Sequence, residues 1–258
     1  MKNEPILSII IPSYNTSAYI DECLPFFINE KLFGKVVIYL IDDGATDDTA
    51  EKISRYTKLY PNYFKFVHKE NGGHGSVINY AVYNLIQTKY FKVIDGDDWV
   101  DTDNLIEFVD FLENNDSDLI VSDYDKVYQN KIEQVKCYVP NSDYFNSLLT
   151  TIHSLTYKTA IYKNNKILLT EKCFYEDNQF VLYPLRYVSS VNYFSKTVYK
   201  YRLGNIEQSV SLSSMLKRFG DYEIIRNEIK KRQIKTSIET LYKFVYNLCQ
   251  CQYILNQL

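Results

Sequence analysis

Cysteine is sparse in this 258-residue chain, and its five cysteines (Cys23, Cys137, Cys173, Cys249 and Cys251) are scattered and odd in number. None lies in a CxxC pair, which argues against zinc-ribbon frameworks and a paired disulfide scaffold. Free thiols in a reducing compartment are the simplest reading. Long apolar runs are also missing: no stretch approaches the roughly 20 apolar residues that span a bilayer. The run from Ile6 to Ile11 ends at Pro12 and is too short for a signal-peptide core with its cleavage site. A cytoplasmic location is therefore expected, with docking on the inner face of the membrane left open. Basic excess is absent, since the net charge is −3, so no nucleic-acid partner is expected. Histidine is rare, with only His68, His74 and His153. There is no internal repeat, low-complexity tract or Gly/Ser linker.

What remains is the balance of a soluble globular protein, 46% apolar and 24% charged, long enough for one large α/β domain or one domain with an appendage. Tyrosine is abundant at 25 residues. Its rings can stack on sugars and bases, although a compositional bias shared with Asn, Ile and Lys gives the same count.

The first half alternates two periods. Leu7 to Ile11, Val36 to Ile41, Phe91 to Ile94 and Leu119 to Ser122 are short apolar runs, as in strands buried on both faces, and Lys65 to His68 reads as a further strand. Helical segments are expected from Thr16 or Ser17 toward Phe27, from Thr46 or Asp47 to about Lys58, from about Gly75 to Ile86, and over Asn104 to Glu113. This alternation predicts a mostly parallel sheet with helices on both faces. Such sheets bind ligands beyond the carboxyl ends of their strands. Pro12 to Asn15, Asp42 to Asp48 and Asp95 to Asp98 all fall there. The second half is less regular. It suggests a hairpin over Tyr124 to Val139, helices over Asp143 to His153 and Glu176 to Arg186, strands within Val188 to Tyr201, and a helical end from Ser213 to Leu258.

Asp95-Gly96-Asp97 is the sharpest local signal. Two carboxylates at i and i+2 after a buried strand can share a hard divalent cation that bridges to diphosphate, and the intervening glycine admits a phosphate to the backbone. An acidic capping turn is the plainer reading, with Asp98 available to cap the next helix. In Asp42-Asp43-Gly44, a carboxylate can accept from a base N–H or a ribose hydroxyl; a turn with an N-cap explains it equally. Asn71-Gly72-Gly73-His74-Gly75 offers backbone N–H groups that could contact phosphate or ribose, or is simply a turn. Glu176-Asp177 on its own is an acidic pair at a helix start.

Order changes the weight of these segments. SIIIPSYN (Ser8 to Asn15), IDDGATDDT (Ile41 to Thr49), ENGGHGSVIN (Glu70 to Asn79), VIDGDDWV (Val93 to Val100), FYEDNQF (Phe174 to Phe180), YKYR (Tyr199 to Arg202) and SVS (Ser209 to Ser211) follow one another at the spacings of one family. Over about residues 5 to 211 the sequence resembles the bacterial family 2 glycosyltransferases, which have the GT-A fold. The resemblance implies an α/β GT-A catalytic domain over 1–205, with a nucleotide-binding half of about 1–122 and an acceptor-side half of about 123–205. A helical tail would follow over 206–258.

It also implies roles. Pro12 and Tyr14 would line the nucleobase pocket, Asp43 would accept the uracil N3–H, and Asn71 and Gly72 would lie at the nucleotide. Asp95 would sit near the ribose and metal, and Asp97 would be the principal ligand of Mn2+ or Mg2+. Asp177 would be the catalytic base, with Glu176 shaping its surroundings. Trp99 would lie beside the sugar and acceptor, core packing being its other reading, and Arg202 would meet the diphosphate or close a loop. Many relatives offer a histidine after the base motif as a further metal ligand; here none follows Asp177. His74 lies where the loop approaches the donor, and a structural role is expected for His153.

The implied reaction is inverting transfer of a hexose or N-acetylhexosamine from a UDP-sugar. The hydroxyl acceptor would be glycan, lipid-linked or protein-linked, in the synthesis of surface polysaccharide, teichoic acid or a glycoconjugate. A nucleotidyltransferase would want a Gly-rich, Arg/Lys-bearing loop after the first strand, where this chain has PSYNTSAY. An inactive scaffold that binds nucleotide or sugar is the non-enzyme alternative. The basic, partly apolar segment 213–258 packs on the domain, forms a homo-oligomer interface, or meets an anionic membrane surface.

Overall fold

The computed structural model describes residues 4–137, 151–204 and 217–232, apart from the side chain of Phe219. The apolar runs form the strands expected of them. β1 (Leu7–Ser13), β2 (Val36–Asp42) and β4 (Tyr90–Val93) are buried almost throughout, and β3 (Phe64–His68) lies at one edge. Short helices connect them: α1 (Ser17–Cys23), α2 (Thr49–Leu59) and α3 (His74–Tyr80). The expected helix toward Ile86 widens after α3 into a single π turn over Ala81–Leu85, closed by the Ile86 N–H on the Ala81 carbonyl. A two-residue strand, β5 (Trp99–Val100), then precedes α4 (Thr102–Glu113). The second half contributes β6 (Leu119–Tyr128), β7 (Lys131–Val135), β8 (Leu155–Lys158), α5 (Thr159–Asn164), α6 (Asp177–Leu185), β9 (Val191–Arg202) and α7 (Phe219–Lys231).

These strands make one sheet in the order β3-β2-β1-β4-β8-β6-β9-β5, with β7 pairing to β6. The pairs β3–β2, β2–β1, β1–β4 and β6–β9 are parallel, whereas β8 runs antiparallel to both β4 and β6. β8 thus joins β4, and through it β1 to β3, to β6 and β9. Its four residues, LTYK, carried too little pattern to be read as a strand. The register sets Ser13 opposite Asp42, which aligns the ends of β1 and β2 on one rim. Ile94, just beyond β4, donates its N–H to the Ile10 carbonyl, bringing the Asp95 turn to the same rim.

Two local expectations change. Asp98 does not cap α4; Asp101 does, accepting the Asn104 N–H at 3.1 Å, because it immediately precedes the helix while Asp98 is held inside the fold. The helix expected over Asp143 to His153 lies largely outside the described residues, and its end is a 3-10 turn, Ile152–Ser154. The hairpin expected over Tyr124 to Val139 is present as β6 and β7 up to Val135. α7, the described part of the basic tail, buries Ile225 and Ile229. Asp221 on it accepts the Phe174 N–H at 3.3 Å, and the Arg232 guanidinium lies 4.1 Å from the Tyr183 ring centroid.

Candidate active site

The rim is assembled from four turns. The turn after β2 begins with Asp42, whose buried carboxylate accepts the Ala45 N–H at 2.8 Å and meets His68 Nδ1 at 2.7 Å. Asp43 beside it is also buried. Its Oδ1 accepts from Lys69 Nζ at 2.7 Å and from the Gly72 N–H at 3.0 Å, and its Oδ2 accepts the Gly73 N–H at 2.8 Å. Asn71 donates to the Asp43 carbonyl at 2.9 Å. The carboxylate expected at a uracil therefore also builds the Asn71–Gly75 loop. A carboxylate offers about four lone-pair sites, so one on Oδ2 is left for a ligand. Gly72 is required here, because a Cβ would fall 2.3 Å from Ser76 Oγ. Pro12 is buried in β1, while Tyr14 stands 50% exposed just beyond it.

The turn after β4 carries the acidic cluster. Gly96 packs against β1 so closely that a Cβ would lie 2.8 Å from the Pro12 carbonyl oxygen. The glycine therefore serves the close approach of two strand ends. Asp98 turns inward. It accepts from Tyr199 Oη at 2.6 Å and from the Arg202 N–H at 2.7 Å, and the same Tyr199 hydroxyl accepts the Asp95 N–H at 3.1 Å. Burial, with Asp97 and Asp95 nearby, holds the Asp98 carboxyl well above the usual range. Burial and the Asp95 charge push Asp97 up to about 6. Three carboxyl groups crowded to this degree favour a cation among them.

The donor set fits a hard divalent ion of the Mn2+ or Mg2+ kind. Asp97 has no ion-pair partner among the described residues. Asp95, Asp98 and His153 offer ligand atoms within 4.8 Å of one another. Of these, Asp95 is an expected metal ligand, whereas His153 is expected to be structural. The ring does stack on Tyr201, with centroids 4.2 Å apart, yet its Nε2 lies 4.0 Å from Asp95 Oδ2. Burial pushes this imidazole down to about 4, leaving it neutral and able to ligate. Behind it, the buried Lys92 ammonium donates to the His153 and Leu155 carbonyls at 2.7 and 3.3 Å. Burial lowers Lys92 to about 7.

The fourth turn brings the base motif. Tyr175, at φ 69°, swings the chain so that Glu176 points inward and Asp177 opens α6. Glu176 is buried and its Oε1 lies 2.6 Å from His74 Nδ1, while His74 Nε2 lies 3.1 Å from Asp95 Oδ1. One histidine thus spans the loop after β3, the turn after β4 and the start of α6. Burial alone would disfavour the imidazolium, but the hydrogen bonds it donates to Asp95 and Glu176 together outweigh it and raise His74 well above its ordinary value. Surrounding protein and the Glu176 charge push Asp177 up to about 6. Its side chain is nevertheless open to solvent, and water reduces the effect. His74, expected only where the loop approaches the donor, also reaches Glu176, a partner 102 residues away.

Trp99 and Arg202 are also brought to the rim. The Arg202 guanidinium lies 4.8 Å from the Trp99 ring, and its Nε donates to the Asp97 carbonyl at 2.9 Å. Phe26 stands 6.1 Å from Trp99 and is exposed. Trp99 therefore forms part of a half-open shelf rather than the core.

Residues 8–168 match the family model described as glycosyl transferase family 2. The chain belongs to this family. It is 26% identical over 225 residues to an uncharacterized glycosyltransferase of Mycoplasma pneumoniae, covering 83% of this chain and 74% of that protein. A Mycoplasma genitalium glycosyltransferase, also uncharacterized, is 30% identical over 187 residues, covering 69% of this chain and 61% of its own. Among solved structures, S. aureus TarS in complex with UDP-GlcNAc superposes with a TM-score of 0.69 at 22% identity, covering 92% of this chain and 69% of that one. The mannosyltransferase PcManGT from Pyrobaculum calidifontis, in complex with GDP-Man and Mn2+, gives 0.62 at 15% identity, covering 90% of this chain and 66% of that one. The fold of this family 2 glycosyltransferase is GT-A. No helix among the described residues is long and apolar enough to cross a membrane.

Proposed function

We propose that this family 2 enzyme is an inverting transferase that moves a hexose or N-acetylhexosamine from a UDP-sugar to an acceptor hydroxyl. The observation that carries this is the meeting of the base motif with the acidic rim: His74 lies between Glu176 and Asp95 at 2.6 and 3.1 Å. Asp177, adjacent to Glu176, removes the acceptor proton while the acceptor oxygen attacks the anomeric carbon. The bond from that carbon to the donor phosphate oxygen breaks, nucleoside diphosphate leaves, and the anomeric configuration inverts. A carboxyl group raised above its ordinary range yet open to water suits a base at neutral pH. Asp97 and Asp95 would hold Mn2+ or Mg2+, and Asp98 and His153 offer further ligand atoms within 4.8 Å of that of Asp95. Such an ion supplies charge neutralisation at the leaving diphosphate.

Uridine is favoured by the remaining acceptor site on Asp43 and by the UDP-GlcNAc carried by TarS; the Mn2+ in PcManGT favours a metal. Asn71 and Gly72 bond to Asp43, and Pro12 and Tyr14 would line the nucleobase pocket on either side of Ser13, whose carbonyl accepts the Asp43 N–H at 2.9 Å. The shelf of Trp99, Phe26 and Arg202 suits a pyranose face. A catalytic domain over 1–205 followed by a tail remains our division of the chain. The packing of α7 on the domain favours the first reading of that tail over a membrane or homo-oligomer contact. The acceptor, whether glycan, lipid-linked or protein-linked, fits cell-surface polysaccharide, teichoic acid or glycoconjugate synthesis. The test is release of UDP from UDP-sugars in Mn2+. Release by wild type and none by Asp97→Ala is expected, and equal release by both would overturn the metal assignment.

A further inference from the structure

Two chemically distinct halves meet at one side chain. The segment from Leu169 to Glu176 lies across the start of α3 like a strap. Lys172 donates its N–H to the Gly72 carbonyl at 2.6 Å, and Asn79 exchanges hydrogen bonds with the Leu169 backbone at 2.9 Å in both directions. Gly75 is the point of closest approach: a Cβ there would fall 2.5 Å from the Thr170 carbonyl oxygen and 2.9 Å from Glu176 Cγ. His74 sits at the centre of this seam, with 27% of its side chain accessible, against 7% for Glu176. Both ring nitrogens are engaged, Nδ1 by Glu176 and Nε2 by Asp95. Carboxylates only accept, so the fully bonded ring is a donor at both ends. Two charge-assisted bonds fix it in one orientation.

We propose that His74 is a positioning residue with two separable arms, one setting Asp95 for donor binding and the other setting Glu176, and through it Asp177, for proton removal. The proposal rests on the transferase reading above. Its physical content is that one rigid ring couples two carboxylates on different elements, so each arm governs a different parameter. Misplacement of a catalytic group by about 1 Å can cost on the order of 100-fold in rate. Weakening the Asp95 arm instead changes how the donor is held. A ring that merely filled space would lose stability and activity together, without this division.

Side-chain geometry supplies the test. The amide of asparagine reaches about as far as Nδ1 of histidine, and that of glutamine about as far as Nε2. His74→Asn keeps the Glu176 arm alone, and His74→Gln keeps the Asp95 arm alone. Donor hydrolysis and calorimetric titration of UDP, with and without Mn2+, are read for wild type and both variants. His74→Asn is expected to weaken UDP affinity at least fivefold with kcat within about threefold of wild type. His74→Gln is expected to hold UDP affinity within about twofold and lose at least tenfold in kcat. A matching loss of both parameters in the two variants, or neither variant departing from wild type, overturns the inference. Melting curves establish that each variant is folded, and Glu176→Gln, which weakens the base arm and leaves the ring, is expected to repeat the His74→Gln pattern. If it leaves kcat unchanged, the inference also falls. Wild-type protein that binds no UDP and hydrolyses no donor would remove the transferase reading itself, a result visible before any variant is compared.

Discussion

Replacing Gly75 by alanine adds one methyl group at the tightest point of the seam. Its carbon would lie 2.5 Å from the Thr170 carbonyl oxygen, 2.9 Å from Glu176 Cγ and 3.4 Å from Leu169 Cβ. A carbon and a carbonyl oxygen rest no closer than about 3.3 Å, so roughly 0.8 Å of movement is needed. The atom in the way is backbone, tied to Gln179 through the neighbouring Thr170 N–H at 2.7 Å, so it cannot swing aside as a flexible side chain would. Overpacking of this kind typically costs about 1–3 kcal/mol. For a protein of this size that lowers Tm by roughly 2–10 °C. The same movement pulls Glu176 away from His74, whose 2.6 Å bond tolerates little stretching, and turnover should fall by about 10- to 100-fold. Gly220 in α7 is the control: nothing lies within 4 Å of its Cβ position, and alanine there should stabilise the helix by up to about 1 kcal/mol. Thermal melts and donor hydrolysis on both variants decide the matter. A Gly75→Ala protein with wild-type Tm and turnover would refute the packing argument.

Two further outcomes follow from the buried and crowded charges. The base must be deprotonated to act, and a carboxyl raised to about 6 moves the acidic limb of kcat/KM upward; the rate should rise with pH and level off above about 6, and a limb near 4 would contradict the assignment. Lys92, lowered to about 7, loses its proton there in the folded protein, whereas the unfolded chain keeps it to about 10.4. The unfolded state therefore binds more protons across that window, so wild type should gain on the order of 3–4 kcal/mol relative to Lys92→Met between pH 7 and 10; parallel stability–pH curves for the two proteins would count against this.

Most of the fold of the first half was legible because fully buried parallel strands leave unbroken apolar runs. Leu7 to Ile11 and Val36 to Ile41 could hardly be anything else, and the polar residues that end them had to lie on one rim. The order of motifs singled out Asp95, Asp97, Glu176 and Asp177, and the structure brings Asp95 and Glu176 together through His74. What escaped notice was long-range. β8 is four residues placed antiparallel between β4 and β6 by tertiary pairing, not by its own pattern. Asp98 looked like a cap because it is acidic and near a helix, yet its partners come from β9, about 100 residues away. Asp43 fits a ligand contact by its motif, and a sequence cannot reveal that its oxygens also gather the Gly72 and Gly73 amides. His74 and His153 meet Asp95 only because the sheet curls β8 and α3 toward the same strand end.

The central claim is a division of labour across the rim, with Asp97 on the nucleotide side and Asp177 on the acceptor side. Calorimetric titration of UDP in Mn2+ against Asp97→Ala and Asp177→Asn tests it most directly. The account predicts that Asp97→Ala loses metal-dependent UDP affinity, while Asp177→Asn binds as wild type does and hydrolyses donor about 10²–10⁴-fold more slowly. Wild-type UDP affinity in Asp97→Ala, or near-normal turnover in Asp177→Asn, would contradict it.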